Sequence, residues 1–226
     1  MFKSIKTGVI AFILLSTAAL AQAQKKIEQG TVTYGVTYEL TPEQKSMVDE
    51  STLPAESKVE FNKNLARIQM DLGAAQVKVI SDASTKTALL LVDVPIAQKQ
   101  FATKMSAEDV AKQRGDIKYS NFKPTGQKQT IAGYNAEKYT YTDNKNNNYE
   151  LWLTKDVQLA EGTQYEDFRS LNGTLVKYSV VVNGLKSNYT LKSIKEGNVG
   201  PFSMEVPSGY ELKTAAEMQA MQGGGQ

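Results

Sequence analysis

The sequence predicts a mainly β fold of the α+β class, with a large curved antiparallel sheet or incomplete barrel and about three short helices. Short segments in which apolar and polar residues alternate recur from residue 30 onwards, and such alternation is typical of half-buried strands. Turn residues separate these segments, and Asn183-Gly184 is the strongest hairpin signal among them. Strands do not alternate with long helical segments, which excludes a doubly wound α/β fold.

The N-terminal segment has the features of a secretory signal peptide. Lys3 and Lys6 form a basic region, the segment from Val9 to Leu20 is apolar, and Ala21-Gln22-Ala23 matches an A-x-A cleavage site. The apolar run is too short to span a membrane, and no stop-transfer segment follows it. We therefore expect residues 1–23 to be a cleaved signal peptide.

The remaining residues predict one domain of an exported protein. Residues 24–222 contain no internal repeat and no linker, so we expect a single β-rich domain followed by a flexible tail at residues 223–226. The chain contains no cysteine, and a bacterial lipoprotein needs one directly after its signal segment. We expect a soluble protein of the periplasm or the extracellular space, without a lipid anchor or a transmembrane span.

Charge and composition exclude several classes of function. The chain has 26 basic and 24 acidic residues, and its first 23 residues hold two of the lysines and no acid. The mature chain is therefore neutral, which argues against a nucleic-acid partner. The absence of histidine excludes Ser-His-Asp triads, Cys-His dyads and His-ligated zinc. We expect no enzymatic activity, no metal and no cofactor.

The first half of the chain predicts hairpins and one short helix. Gly30–Leu40 alternates as a half-buried strand, and Thr41 with Gln44 forms a capping box that begins a short polar helix. Ser57–Leu72 then predicts one or two strands, with Asn62-Lys63-Asn64 as the turn between them.

The segment Thr85–Val94 predicts the central strand of the sheet, paired with Gln76–Ser81 across an Asp/Ser-rich turn. Both faces of this strand are apolar near its middle, so we expect both to be covered. One cover is the core, and the other is a helix or a bound apolar ligand.

A further strand and a second helix follow. Ile96–Met105 is expected to be a strand, and Ser106 caps a short helix that ends at Gly115. Residues 119–125 are ambiguous between strand and loop because they contain Pro124.

The C-terminal half predicts two hairpins. Ile131–Val157 folds back at an Asn-rich turn and holds the only tryptophan, and the alternative for the Asn run is a flexible loop. Leu175–Val182 and Leu185–Ile194 flank the Asn-Gly turn.

The last part of the chain predicts one more strand and one more helix. Phe202, Met204 and Val206 alternate as in a strand, and Thr214 begins a third capping box before a Met-rich helix. The whole chain then holds about ten or eleven strands.

Carboxylates are the remaining candidates for acid–base chemistry, and each has a simpler interpretation as a helix cap or a solvated acid. They are Glu108/Asp109, Asp49/Glu50, Glu166/Asp167 and Asp93. The Asn-rich turn offers oxygen ligands for calcium from Asp143, Asn144, Asn146 and Asn148, but it lacks the glycine of an EF-hand loop. We interpret it as an ordinary turn.

Apolar and aromatic side chains on the predicted strands could line a ligand cavity, although tyrosines on strands are more often ordinary sheet pairs. The candidates for the lining are Leu89, Leu91, Phe101, Met105, Trp152 and Tyr178.

Several segments together resemble a family of secreted bacterial proteins, domain of unknown function 4412. The segments are GTVTYGVTYEL, KVEFNKNLARIQMDLG, VKVISDASTKTALLLVDV, TIAGYNAEKYTYT, ELWLTKDV and EVPSGYEL. The resemblance implies an envelope location and a fold similar to the LolA/LolB periplasmic lipoprotein carriers, half-open barrels whose helices plug a hydrophobic cavity. It implies no established activity. A cavity arginine matters in those carriers, and Arg67 is a candidate only because it lies among strand residues.

These observations favour a non-enzymatic envelope protein that binds a lipid or other apolar small molecule in the concavity of a curved sheet. The alternative is a structural or interaction module that binds an envelope protein through a sheet face or edge. The third hypothesis is a carboxylate-based hydrolase or isomerase, which requires two acids converging in a pocket, one with a raised pKa.

Overall fold

The computed structural model describes residues 24–182 and 184–223. The predicted signal peptide, Asn183 of the predicted Asn-Gly turn and the last three residues lie outside the described part. Three α-helices occur in the described residues: α1 (Pro42–Met47), α2 (Ala107–Arg114) and α3 (Ala215–Gly223). Fourteen strands occur there: β1 (Lys25–Ile27), β2 (Gln29–Glu39), β3 (Glu56–Asn62), β4 (Leu65–Asp71), β5 (Gln76–Asp82), β6 (Thr87–Val94), β7 (Lys99–Met105), β8 (Tyr119–Ile131), β9 (Tyr134–Asp143), β10 (Asn148–Thr154), β11 (Val157–Leu159), β12 (Thr174–Val182), β13 (Leu185–Glu196) and β14 (Glu211–Leu212).

Twelve of these strands form one open sheet in the order β14-β7-β6-β5-β4-β3-β2-β13-β12-β10-β9-β8. Its pairs are antiparallel except β14 with β7, and β1 with β11 forms a separate parallel pair. The predicted mainly β fold with a large, mostly antiparallel sheet is confirmed, and the sheet does not close into a barrel. The strands that were not predicted are β1, β11 and β14, whose two or three residues are too few for alternation.

The sheet has an inner and an outer face. The pairing register of neighbouring strands shows which residues share a face. Val32, Val59, Ile68, Val79, Leu90 and Thr103 form one row across β2–β7 on the inner face. The alternate row, on the outer face, includes Arg67, Ile80 and Leu89. Residues of β5–β7 line a common cavity with residues of β8 and β12 from the other half of the sheet. The sheet is therefore curved towards its inner face, where the main core also lies.

Local signals predicted the helix starts and most hairpins correctly. Thr41 and Ser106 both form complete capping boxes at the starts of α1 and α2, and Thr214 with Glu217 exchanges the same bonds before α3. The ambiguous segment around Pro124 is part of β8. Proline is tolerated there because β8 is the edge strand of the sheet.

One predicted strand starts later than expected, and another does not form. Residues 95–97 form a 3₁₀ turn, so β7 begins at Lys99 and not at Ile96. Residues 202–206 form no strand. Phe202, Met204 and Val206 instead pack on an outer-face cluster that includes Leu89 and Leu91. Residues 202–206 lie on the face of the sheet, where no strand edge is available for pairing. Their alternation still partly buries Phe202, Met204 and Val206.

Candidate functional site

A cavity of about 320 Å³ lies between the inner face of β5–β7, helix α2 and the loop before β12. Most of its lining is apolar or aromatic: Val79, Ala88, Met105, Val110, Ile117, Tyr119, Tyr165, Val180 and Val181. Its volume is at the lower end for small-molecule sites, and it equals about ten water-sized volumes of about 30 Å³ each. The cavity therefore suits one short apolar chain or one ring system.

The floor of the cavity comes from alternation in three neighbouring strands. Ala88 of β6 pairs directly with Met105 of β7, and Val79 lies on the adjacent strand β5. The small side chain of Ala88 leaves room that a larger residue would fill. Met105 adds an unbranched, polarisable side chain, which adapts readily to differently shaped apolar ligands.

Helix α2 forms the roof of the cavity. The Ser106 capping box begins the helix directly after β7, which holds it close to the floor. Val110 and Arg114 lie four residues apart, on one helical face, and both line the cavity. No residue of α2 is fully buried. The helix therefore covers the cavity without sealing it.

An ionic latch formed by Lys86, Arg114 and Glu166 lies at one side of the cavity, where Arg114 and Glu166 belong to its lining. The Glu166 carboxylate accepts hydrogen bonds from Lys86 Nζ at 2.5 Å and from Arg114 Nη1 at 2.6 Å. These two bonds lower the pKa of Glu166 to about 2. The latch joins α2, the β5–β6 turn and the loop before β12, three segments that are distant in sequence.

An aromatic cluster supports the third wall. Phe168 is fully buried and stacks on Tyr119 with ring centroids 5.5 Å apart, and Tyr165 contacts it edge-on. Tyr178 contacts Phe168 edge-on with ring centroids 6.0 Å apart, and it stacks on Tyr189 at 4.9 Å. Rings held by several neighbours lose little further freedom when a ligand binds, so this wall is preformed.

Two acids do meet at the cavity, as the hydrolase hypothesis requires, but their chemistry is that of structural anchors. Glu166 is held as a carboxylate by the latch, and Asp167 accepts a hydrogen bond from the Tyr119 amide at 2.9 Å. Among the described residues, every carboxyl group with a shifted pKa has a pKa below its ordinary value. A general acid near neutral pH requires the opposite shift.

A family model described as "Domain of unknown function (DUF4412)" matches residues 45–208. The chain belongs to this family. The match confirms the resemblance seen in the sequence segments. All residues that line the cavity lie between positions 79 and 181, so the cavity falls wholly within the DUF4412 region.

One solved structure similar to this DUF4412 chain is described as the crystal structure of MucB. The two are 13% identical with a TM-score of 0.31, and the match covers 89% of this chain and 64% of the MucB chain. The chain thus spans less than two thirds of MucB, and a TM-score of this size supports no conclusion about fold or function. No curated protein matches the chain.

The structure places three of the six predicted lining residues on the inner face of the DUF4412 domain. Met105 lines the cavity. Phe101 lies on the same face of β7 and is buried near β14, beyond the cavity. Tyr178 is buried in the aromatic cluster that supports the cavity wall.

Leu89 and Leu91 are also buried, but on the outer face. They form a cluster with Ile80 and Ala102, which the chain's own residues 202–210 cover. The prediction that β6 is covered on both faces is confirmed. The second cover is a segment of the chain rather than a ligand.

Trp152 points to the outer face as well. It pairs with Lys138 and Lys177 on the neighbouring strands and lines a polar groove of about 860 Å³. Its indole ring therefore does not line the inner cavity, although it packs against the main core.

The remaining candidate residues have structural partners. Arg67 lies on the outer face, paired with Glu60 and stacked over the Phe202 ring, whereas the arginine at the cavity is Arg114. Asp93 is partly buried, which opposes ionisation, but hydrogen bonds from Tyr210 and Gln100 and the charge of Lys78 lower its pKa.

The Asn-rich turn is closed by its own acid. The Asp143 carboxylate accepts hydrogen bonds from the amides of Lys145 and Asn147 and from the Tyr149 hydroxyl. These bonds occupy the carboxylate oxygens that a cation would need. Within the described residues, no group of three or more acids is placed to hold a metal ion.

Sequence reasoning missed the roof and the far wall of the cavity. The i, i+4 spacing of Val110 and Arg114 is a signal that could have indicated an inward helical face. No local pattern indicates that Val180 of β12 lies opposite Met105, since strands far apart in sheet order meet only through curvature.

Proposed function

We propose that this DUF4412 protein is an exported, non-enzymatic protein of the cell envelope that holds a lipid chain or other small apolar ligand in the inner cavity. The observation that carries the proposal is the apolar cavity of about 320 Å³ with a preformed aromatic wall. The signal-peptide pattern of residues 1–23 supports export. Residues 24–222 then act as one mature domain. In the described parts, residues 24–182 and 184–223, no helix is long and apolar enough to cross a membrane.

The size of the cavity sets the affinity that we expect. Burying a chain of about ten carbons contributes roughly 8 kcal/mol at about 0.8 kcal/mol per methylene. Loss of translational and rotational freedom costs about 4 kcal/mol or more. The difference is at most about 4 kcal/mol, which corresponds to a Kd of about 1 mM or weaker, and a larger, ring-shaped ligand that fills the cavity binds more tightly.

The charged groups around the cavity support binding rather than catalysis. Lys86 and Arg114 are both engaged by Glu166, and Asp167 is engaged by the Tyr119 amide. Their role is to close the rim between α2 and the loop before β12. A ligand enters when this latch opens, and its apolar part then meets Val110 and Met105.

Fluorescence of 1-N-phenylnaphthylamine, an uncharged apolar probe, tests the proposal. Val110→Phe places a ring in the cavity and should abolish the probe's fluorescence increase. Ala111→Phe is the matched control, because Ala111 is the next residue on the same helix and is exposed to solvent. Probe binding that is equal in both variants, or absent from the delipidated protein, would refute the proposal.

The alternative function, binding of an envelope protein, is supported by a different feature of the molecule. The groove beside Trp152 lies on the outer face and is mostly polar, with lysine, glutamate, asparagine and threonine side chains in its lining. Such a groove suits a peptide rather than a lipid chain.

A further inference from the structure

Strands β10 and β12 are neighbours in the sheet but pair over only part of their length. Their register is limited to Trp152 with Lys177, Leu153 with Leu175 and Thr154 with Thr174. Beyond Trp152, residues 148–151 have register partners only on β9, and residues 178–182 only on β13. We call this gap between residues 148–151 and 178–182 the seam.

Along the seam, tyrosine hydroxyls form hydrogen bonds with β12 backbone groups that a neighbouring strand would otherwise bind. The Tyr119 hydroxyl accepts a hydrogen bond from the Val181 amide at 2.6 Å. The Tyr141 hydroxyl donates to the Ser179 carbonyl at 2.5 Å and lies 3.3 Å from the Ser179 amide. Ser179 and Val181 are two residues apart, so the edge of β12 presents its backbone groups with the period of a strand.

The outer groove follows the seam. Its lining comes from both sides of the gap, with Asn148 and Glu150 on β10 and Ser179 on β12, and Trp152 lies where the ladder resumes. The groove volume of about 860 Å³ exceeds that of the inner cavity. Its lining is more polar than that of the inner cavity, so it suits an apolar chain less well.

Charges in the groove favour an acidic partner. Glu150 is paired with Lys138 at 2.7 Å, and Glu39 with Lys186 at 2.7 Å. Lys177 is exposed and, among the described residues, has no acidic partner within salt-bridge distance. One positive charge thus remains available beside Trp152.

We propose that the seam binds an extended peptide segment, which adds as a strand along β12 and places an acidic side chain beside Lys177. A peptide backbone matches the regular spacing of donors and acceptors on a strand edge, which a lipid or a sugar does not. Full insertion between β10 and β12 requires the two strands to stand about 10 Å apart, twice the usual spacing of about 4.8 Å. The partner's amides and carbonyls then replace the hydroxyls of Tyr119 and Tyr141.

A synthetic hexapeptide tests the proposal with the full mature chain. The probe is acetylated and amidated, alternates valine and threonine, and carries one central glutamate. Binding is followed by the fluorescence of Trp152, the only tryptophan, and by amide exchange of Ser179 and Val181 in NMR spectra. We expect saturable binding and slower exchange at both amides.

The backbone and the charge are tested separately. A probe with N-methylated amides on alternate residues loses about two hydrogen bonds and should bind at least about tenfold more weakly. Lys177→Glu should weaken binding of the glutamate probe by about two- to fivefold and strengthen binding of a probe with lysine in its place. Tyr119→Phe removes an internal competitor for the Val181 amide and should tighten binding by about fivefold.

Val110→Phe is the control that separates this site from the inner cavity, and peptide binding should be unchanged in it. Equal binding of the N-methylated probe, unaltered exchange at Ser179 and Val181, or no saturation at millimolar peptide would overturn the proposal. Weaker binding in Tyr119→Phe would also overturn it, because a purely structural hydroxyl gives that result.

Discussion

Replacing Phe168 by alanine should destabilise the protein more than any other single change in the aromatic cluster that supports the cavity wall. Phe168 is fully buried in a loop between strands, and its ring is surrounded by five others. These rings belong to Tyr119, Phe122, Tyr141, Tyr165 and Tyr178. The substitution removes the centre of this cluster, and rings anchored on several different strands cannot all move inwards to fill the space.

The expected cost follows from burial and ring contacts. Truncation of a buried phenylalanine to alanine costs about 3–5 kcal/mol, and each aromatic pair contributes about 0.5–1.5 kcal/mol beyond its buried area. Ring centroids lie 5.5–6.3 Å from that of Phe168, within the favourable range. We expect a loss of at least about 4 kcal/mol, which lowers Tm by about 8–16 °C in a domain of this size.

Urea unfolding followed by Trp152 fluorescence measures this loss. Phe168→Leu keeps part of the volume and should cost less than Phe168→Ala, while Ile96→Ala is the control because Ile96 is 89% exposed. The control should change the unfolding free energy by no more than about 0.5 kcal/mol.

A loss below about 1 kcal/mol in Phe168→Ala would refute the reasoning, since a large cavity in a well-packed core costs more than that. The same conclusion would follow if the alanine and leucine variants were equally stable, because the loss would then not depend on the volume removed.

Three other predictions follow from hydrogen bonds and backbone packing. The pKa of Glu166 is lowered to about 2, so the stability from the latch is present above the ordinary value of 4.5 and is lost as the pH falls towards 2. Glu166→Gln should remove this part of the acid dependence of the unfolding free energy, measured by urea titration at several pH values. Tyr210→Phe should raise the pKa of Asp93, followed by carboxyl-carbon NMR, because burial is then opposed by one hydrogen bond fewer. Gly30→Ala should cost about 1–3 kcal/mol, since a Cβ there would lie 2.3 Å from the Lys195 carbonyl oxygen, whereas Gly197→Ala meets no atom within 4 Å and should be neutral.

Local chemistry explains why several elements could be predicted from the sequence. The capping boxes at Thr41 and Ser106 use bonds between residues three apart, so their formation depends little on the rest of the fold. Hairpins such as β5–β6 and β9–β10 likewise depend on turn residues and on alternation within a short segment.

The two sides of β6 show where sequence reasoning stopped. The alternation of Leu89 and Leu91 with Ala88 and Leu90 indicates two buried faces, but it does not say which face meets a ligand. The structure places Ala88 in the cavity and covers Leu89 and Leu91 with residues 202–210. That choice depends on the path of a segment more than 100 residues away in the chain.

The sequence by itself determined the mainly β class, the helix starts, most hairpins and membership of the DUF4412 family, because these depend on local patterns. Only the tertiary structure decided which strands share a cavity, where Trp152 points and where β10 and β12 part. These features depend on the curvature of a sheet that brings β7 and β8 from its two halves around one space. The curvature of the sheet accumulates from small rotations between many neighbouring strands, so it cannot be predicted from any short segment of the sequence.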